Sequence, residues 1–145
     1  MTNSPRILEK QLYTASATAI GGRAGSVKSD DGTLDHPLSM PTGLGGAGGP
    51  GTNPEQLFAA GYAACFGSAI GHIARVQKLQ TGPVAVTAKV SIGPVAGVFG
   101  LAVELTASLP ELAREQAEAL VKAAHEVCPY SNATRGNIVV EVRVA

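Results

Sequence analysis

The stretch from Leu57 to Ile73 narrows most what this chain can fold into. Thr52 or Asn53 can cap a helix there, Pro54 fits the first turn, and Glu55 complements the positive end of the helix dipole. The pattern predicts a helix from Pro54 to about Leu79, stopping before Gly82-Pro83. Its apolar part holds only five large aliphatic or Phe residues: Leu57, Phe58, Phe66, Ile70 and Ile73. Gly61, Gly67, Ser68, Gly71 and His72 interrupt them. That is too weakly apolar for a membrane span, so the stretch reads as a buried helix of a soluble protein. Many of the chain's small residues line it, and Gly67-x-x-x-Gly71 lets backbones approach closely.

Composition agrees with such a helix. Hydrophobic residues make up 45% of the chain, but 23 of them are Ala, and the large ones comprise 32 Val, Ile and Leu, 3 Phe, 3 Tyr and no Trp. Burying Ala removes little apolar area, so a single chain builds a thin core. With only 15% charged residues, burial against a second copy is the expected remedy. Lys+Arg and Asp+Glu are 11 each, a balance that provides no basic face for nucleic acid. At 145 residues the expectation is one domain, 1–145. Two cysteines are too few for a secreted disulfide scaffold. The polar start Met1-Thr2-Asn3-Ser4-Pro5-Arg6 lacks the apolar run of a signal peptide, so a cytoplasmic protein is expected.

Ile7 to Ile20 alternates loosely and reads as a strand ending at Gly21-Gly22. Arg23–Ser29 and Leu34–Met40 flank the hairpin signal Asp31-Gly32, and Pro41 to Gly51 reads as a flexible loop. Val84 to Ile92 alternates as a strand turned by Gly93-Pro94 and Gly97, and Val98 to Ser108 follows with Leu101, Val103 and Leu105 on one face. Pro110 opens a second helix that ends near Cys128-Pro129, with Leu112, Leu120, Val121 and Ala124 inward. Ile138, Val140, Val142 and Val144 mark a last strand. Strands, helix, strands, helix, strand is an α+β pattern, with helices packed on antiparallel sheet.

Cys65 lies mid-helix among small residues, where a free thiol serves either as inert packing or as a reactive group. Reactivity requires a stabilised thiolate. The helix dipole cannot supply it, because Cys65 lies about 12 residues, roughly 18 Å, from the helix start and the effect fades within the first turn. A cation must come from elsewhere. Arg23, with Gly21, Gly22, Ala24 and Gly25 around it, has room to reach inward, and Glu55 could hold its planar fork. The plainer readings are an exposed turn residue for Arg23 and a dipole-complementing carboxylate for Glu55. Cys128 is biased away from helical dihedrals by Pro129, which suggests a turn where it can move. A mobile second thiol is what a resolving cysteine requires; a structural Cys is the alternative.

Cys65, His72, His125 and Cys128 add up to a Cys2His2 set, but Cys65 and His72 are about 10.5 Å apart in helical rise, too far to share a zinc ion. His72 and His125 read as partly buried polar groups of their helices. Gly43-Leu44-Gly45-Gly46-Ala47-Gly48 matches G-x-G-x-x-G, yet position 68 is Ser where an acid is needed, and Pro50 separates the glycines from the helix. A flexible flap beside the site fits better. Ser68 lacks the G-x-S-x-G flanks of a nucleophile elbow.

Taken together, Leu12-Tyr13-Thr14-Ala15, Gly21-Gly22-Arg23, the run Gly51-Thr52-Asn53-Pro54-Glu55 through Cys65-Phe66, and Cys128-Pro129-Tyr130-Ser131 through Asn137 closely resemble the organic hydroperoxide resistance (Ohr) branch of the OsmC/Ohr family. The resemblance spans nearly the whole chain. It implies an intertwined homodimer with the central helices buried, and a thiol peroxidase acting on alkyl or fatty-acid hydroperoxides. Carried over by position, Cys65 is the peroxidatic cysteine, Cys128 the resolving one, and Arg23 and Glu55 the pair that activates the thiolate and positions the peroxide. The implied reductant is dihydrolipoamide, free or on a lipoylated protein. No cofactor, nucleic acid or membrane partner is implied. Ala24 departs from the family, which often carries an acidic residue after the Arg.

The implied chemistry is attack of the Cys65 thiolate on the terminal peroxide oxygen, departure of the alcohol, and condensation of the sulfenic acid with Cys128. The competing readings are a non-enzymatic redox sensor or hydrophobic-ligand binder using the same thiols, and an OsmC-type peroxidase with a different peroxide preference.

Overall fold

The computed structural model describes residues 4–145, which divide into two compact units at Asn53 and Pro54. In the first unit, β1 (Ala17–Ile20), β2 (Ser26–Ser29) and β3 (Asp35–Pro37) form an antiparallel sheet in that order. The Asp31-Gly32 turn forms as expected. The Asp31 carboxylate accepts hydrogen bonds from the Ser29 hydroxyl at 2.7 Å and the Thr33 N–H at 2.9 Å. These bonds, the Ser29 one foremost, hold its pKa below the usual carboxylate value. The strand expected over Ile7–Ile20 is confined to β1, because among the described residues no strand pairs with residues 7–16; there Leu12 and Tyr13 are exposed. The Gly-rich stretch forms a loop closed at its neck by a parallel bridge between Leu38 and Thr52.

The second unit contains α1 (Pro54–Gln77), β4 (Ala85–Val95), β5 (Val98–Ser108), α2 (Arg114–Val127), α3 (Pro129–Thr134) and β6 (Val140–Val144). Its sheet has the order β4-β5-β6. β4 continues through Gly93 and Pro94, where a turn was expected. Pro94 is tolerated because β4 is an edge strand, and an edge proline need not donate to the ladder. The reversal falls at Ala96 (φ 48°) and, as expected, at Gly97 (φ 84°), both left-handed as a two-residue primed hairpin turn requires.

The expectation of a wholly antiparallel sheet is corrected here: β6 pairs parallel to β5, and the sheet is mixed. Parallel neighbours need a crossover, which α2 supplies between them. The register sets Glu104 beside Glu141, an unfavourable cross-strand pair. Arg143 bridges both carboxylates, at 3.0 and 2.7 Å.

One face of this sheet is apolar. Val103, Leu105 and Ala107 of β5 are buried, with the alternate residues of β4 and β6 packed around them. α1 covers it with Tyr62, Phe66, Ala69, Ile70 and Ala74, at helical spacing, and α2 with Ala117, Leu120, Val121 and Ala124. α2 begins at Arg114 rather than at Pro110, so Leu112 packs from the preceding turn. Among the described residues only α1 is long and apolar enough to cross a membrane, and Tyr62, Phe66 and Ile70 are wholly buried in the protein core. The opposite side of α1, at Ala60, Ala64, Ser68, His72 and Val76, is exposed in the single chain.

Candidate active site

Helix α1 presents Cys65 next to the buried face formed by Tyr62 and Phe66, and the sulfur-bearing residue is half-buried. Cys128 occupies the joint between α2 and α3. Its N–H donates to Ala124 O at 2.9 Å, closing α2, and its carbonyl accepts the Asn132 N–H at 2.9 Å, opening α3. Its extended dihedrals (φ −63°, ψ 125°) are those expected before Pro129 and turn the chain sharply between the helices. The expectation of a mobile turn is corrected, since Cys128 is fully buried and held by both helices. No excursion is needed, because the fold already brings its sulfur to 3.7 Å from that of Cys65. Both are free thiols, and Cys128 donates to Cys65. A disulfide is about 2.05 Å long, so closing it asks only a short approach of the two sulfurs.

Burial pushes the Cys65 thiol above its ordinary pKa. A hydrogen bond from the backbone N–H of Tyr130 pulls it back, while the Cys128 thiol adds to the rise. Tyr130 lies against α1: a Cβ built on Gly61 would meet its hydroxyl at 2.9 Å and its ring at 3.3 Å. Of the three glycines of α1, Gly61 is therefore the one most closely approached. At Gly67, singled out by its spacing from Gly71, an added Cβ would meet only the Val86 side chain, at an ordinary 3.7 Å. Tyr130 also stacks edge-on against Phe58, ring centres 6.1 Å apart, and both line an apolar cavity of about 440 Å³ with Leu101, Ala133, Thr134, Asn137 and Ile138. That size suits a small organic ligand.

Four polar side chains near the thiols were not singled out in the sequence as a group. Tyr62 Oη is hydrogen-bonded to Ser131 Oγ at 2.8 Å and to Thr134 Oγ1 at 3.1 Å, and Ser131 Oγ to His125 Nδ1 at 2.7 Å. The signal that could have found them is Ser131 and Thr134 three apart behind Pro129, the face of a short helix. Burial, then the positive charge of Arg135, lowers the His125 pKa, with Glu126 acting in the other direction. His125 is half-buried as expected, whereas His72 is exposed.

Arg23 sits half-buried in a single 3-10 turn, Gly22–Ala24, which the left-handed Gly21 (φ 80°) introduces in the first unit. Glu55 is half-buried in the first turn of α1 in the second unit. Both residues are engaged by other groups.

The fold and the thiol pair define a class of protein: an α+β chain with two reduced cysteines in contact, one on a long helix and one at a helix joint. Comparison with known proteins narrows the class. The sequence pattern of the OsmC-like protein family matches residues 45–143. The chain is 55% identical over 138 residues to the organic hydroperoxide resistance protein of Xanthomonas axonopodis pv. citri, covering 94% of this chain and 97% of that protein. With the organic hydroperoxide resistance protein OhrB of Bacillus subtilis it shares 49% over 134 residues, covering 92% and 98%. The crystal structure of OhrB superposes with a TM-score of 0.87, covering 93% of this chain and all of that one. A crystal structure of an organic hydroperoxide resistance protein from Legionella pneumophila superposes with a TM-score of 0.89 at 55% identity, covering 94% and 99%. The chain belongs to the OsmC-like family, in its organic hydroperoxide resistance branch.

Proposed function

We propose that this protein confers resistance to organic hydroperoxides as a thiol-dependent peroxidase. The observation that carries the reading is the reduced Cys65–Cys128 pair with sulfurs 3.7 Å apart, one half-buried on α1 and one fully buried. The Cys65 thiolate attacks the terminal oxygen of ROOH. The O–O bond breaks, ROH leaves with a proton, and Cys65 becomes a sulfenic acid. The Cys128 sulfur then attacks Cys65, the S–O bond breaks, and water leaves as the disulfide forms. A dithiol, dihydrolipoamide or a lipoylated protein, returns both cysteines to thiols in two exchange steps.

Burial works against the first step, because it holds Cys65 as a neutral thiol. The reading therefore needs a cation, and Arg23, oriented by Glu55, takes that role: it stabilises the thiolate and the charge that develops as the O–O bond breaks. A single functional domain, 1–145, belongs to the same reading. A reducing compartment, the cytoplasm, suits thiols that must be regenerated.

The apolar cavity beside Tyr130 supports alkyl or fatty-acid chains as the R group over hydrogen peroxide, which has nothing to bury there. The test is kcat/KM for tert-butyl or fatty-acid hydroperoxide against hydrogen peroxide under dihydrolipoamide turnover. The organic substrates should win by about tenfold or more, as burial of a few methylene groups allows. Equal efficiency contradicts the preference.

A homodimer belongs to the same reading. The exposed stripe Ala60, Ala64, Ser68, His72 and Val76 on α1 is a helix face of mostly small, uncharged residues left uncovered in one chain, and a second copy would bury it. Light scattering on eluting protein should give twice the chain mass; a mass of 14.6 kDa contradicts the dimer.

A further inference from the structure

We infer that the buried hydroxyl chain Tyr62–Ser131–His125, with Thr134, is a positioning device for the resolving step: it holds Cys128 against Cys65. The inference deepens the peroxidase reading and rests on it. Ser131 is wholly buried, and so is Tyr62; Thr134 is 6% exposed. Sinking three hydroxyls into the core beside Phe66 and Ala124 is unfavourable unless each is bonded, and apolar residues of similar size would fill the space without that requirement. Here none of the described buried side-chain polar atoms lacks a partner.

What the bonds connect is specific. α3 has only six residues, too short to hold its place by its own backbone bonds. Ser131 ties it at once to α1, through Tyr62 Oη at 2.8 Å, and to α2, through His125 Nδ1 at 2.7 Å. Thr134 ties its far end to the same Tyr62 Oη at 3.1 Å, and donates to the Tyr130 carbonyl at 3.0 Å. On the outer side Arg135 reaches back to the His125 carbonyl and to Asn132 Oδ1. The chain thus spans all three helices around the α2–α3 joint, and the residue at that joint is Cys128. Tyr62 is three residues before Cys65 on α1, so both ends of the thiol pair are referred to one hydroxyl network.

In the resolving step the Cys128 sulfur attacks Cys65–SOH, the S–S bond forms as the S–O bond breaks, and the thiol proton leaves with the hydroxyl as water. None of the hydroxyls or the imidazole of this network is hydrogen-bonded to either sulfur. Tyr62, Ser131 and His125 act through the placement of Cys128 and are positioning residues.

The test uses Tyr62→Phe, which keeps the ring and removes one hydroxyl, and Ser131→Ala. In single turnover with tert-butyl hydroperoxide, formation of the Cys65 sulfenic acid should stay within about twofold of wild type, while disulfide formation slows by about tenfold, since small misplacements cost large factors in intramolecular reactions. The unresolved sulfenic acid should then accumulate as sulfinic acid at excess peroxide. A second readout needs no peroxide: equilibration of the thiol pair with oxidised dithiothreitol gives the effective concentration of Cys128 at Cys65, which should fall by about the same factor in both variants. Wild-type disulfide formation in either folded variant overturns the inference, and so does an equal slowing of both steps, which marks general loosening of the fold. If Ser131→Ala does not fold, Tyr62→Phe decides. If wild type ignores the peroxide while the variants lose effective concentration, the positioning role stands and the peroxidase reading falls.

Discussion

Replacing Cys65 by Ser should abolish peroxide reduction, with a loss on the order of a thousandfold or more, as follows from removing a covalent nucleophile. The exchange costs one polarisable sulfur at a half-buried helix position and leaves the core residues Tyr62, Phe66 and Ile70 in place. The variant should therefore fold, and its far-ultraviolet dichroism should match wild type while stopped-flow peroxide consumption disappears. Cys128→Ser separates the two thiols. It should consume peroxide once per chain and then stall, because the sulfenic acid has no partner 3.7 Å away. A hydrophobic-ligand binder makes the opposite prediction, since binding in an apolar cavity does not depend on the Cys65 sulfur. Retained turnover in Cys65→Ser removes the peroxidase account altogether.

The second large effect belongs to Arg23. Arg23→Met keeps much of the side-chain volume and removes the charge. The expected fall in the second-order rate with an organic hydroperoxide at neutral pH is about 10²–10³-fold, the usual consequence of losing one charge-stabilising donor. The pH profile gives the sign. Burial favours the neutral thiol of Cys65, so without a cation the thiolate forms only above the ordinary thiol range. In Arg23→Met the alkylation rate of Cys65 by iodoacetamide should keep rising with pH through neutrality, whereas in wild type it levels off at lower pH. Superimposable profiles would show that Arg23 does not set the thiolate. Arg23→Lys should rescue little, because a point charge does not reproduce the planar fork that a carboxylate such as Glu55 can hold.

Much of the second unit could be read from side-chain periodicity. Val103 and Leu105 alternate with polar neighbours and form the buried face of β5; Leu120, Val121 and Ala124 recur at helical spacing and are buried on α2. Periodicity carries no direction, however. Nothing in Val140 to Val144 distinguishes parallel from antiparallel pairing, and the choice is made by the length of chain, including α2, between β5 and β6. α3 escaped notice because six residues are too few to show a helical repeat, and with it went the Ser131–Tyr62 bond, which joins positions 69 apart. Pro94 read as a turn because a proline interrupts most strands, and only its place on a sheet edge makes it acceptable.

The site divides in the same way. That Cys65 is a thiol mid-helix, in need of a cation, follows from its neighbours and from the reach of the helix dipole. Its pairing with Cys128 does not follow from spacing, since 63 residues separate them; it came from resemblance, and the two sulfurs are in contact in the fold. The local effect of Pro129 was read correctly in the dihedrals of Cys128, but its freedom was not, because burial by α1 and α2 is a property of packing.

The central claim is that an organic hydroperoxide turns this thiol pair into a disulfide. The most direct measurement is the intact mass and cysteine mapping of wild-type protein after one equivalent of tert-butyl hydroperoxide, with no reductant present. The account predicts the loss of two hydrogens per chain, a peptide linking Cys65 to Cys128, and one equivalent of tert-butanol. Unchanged thiols beside unconsumed peroxide would contradict it.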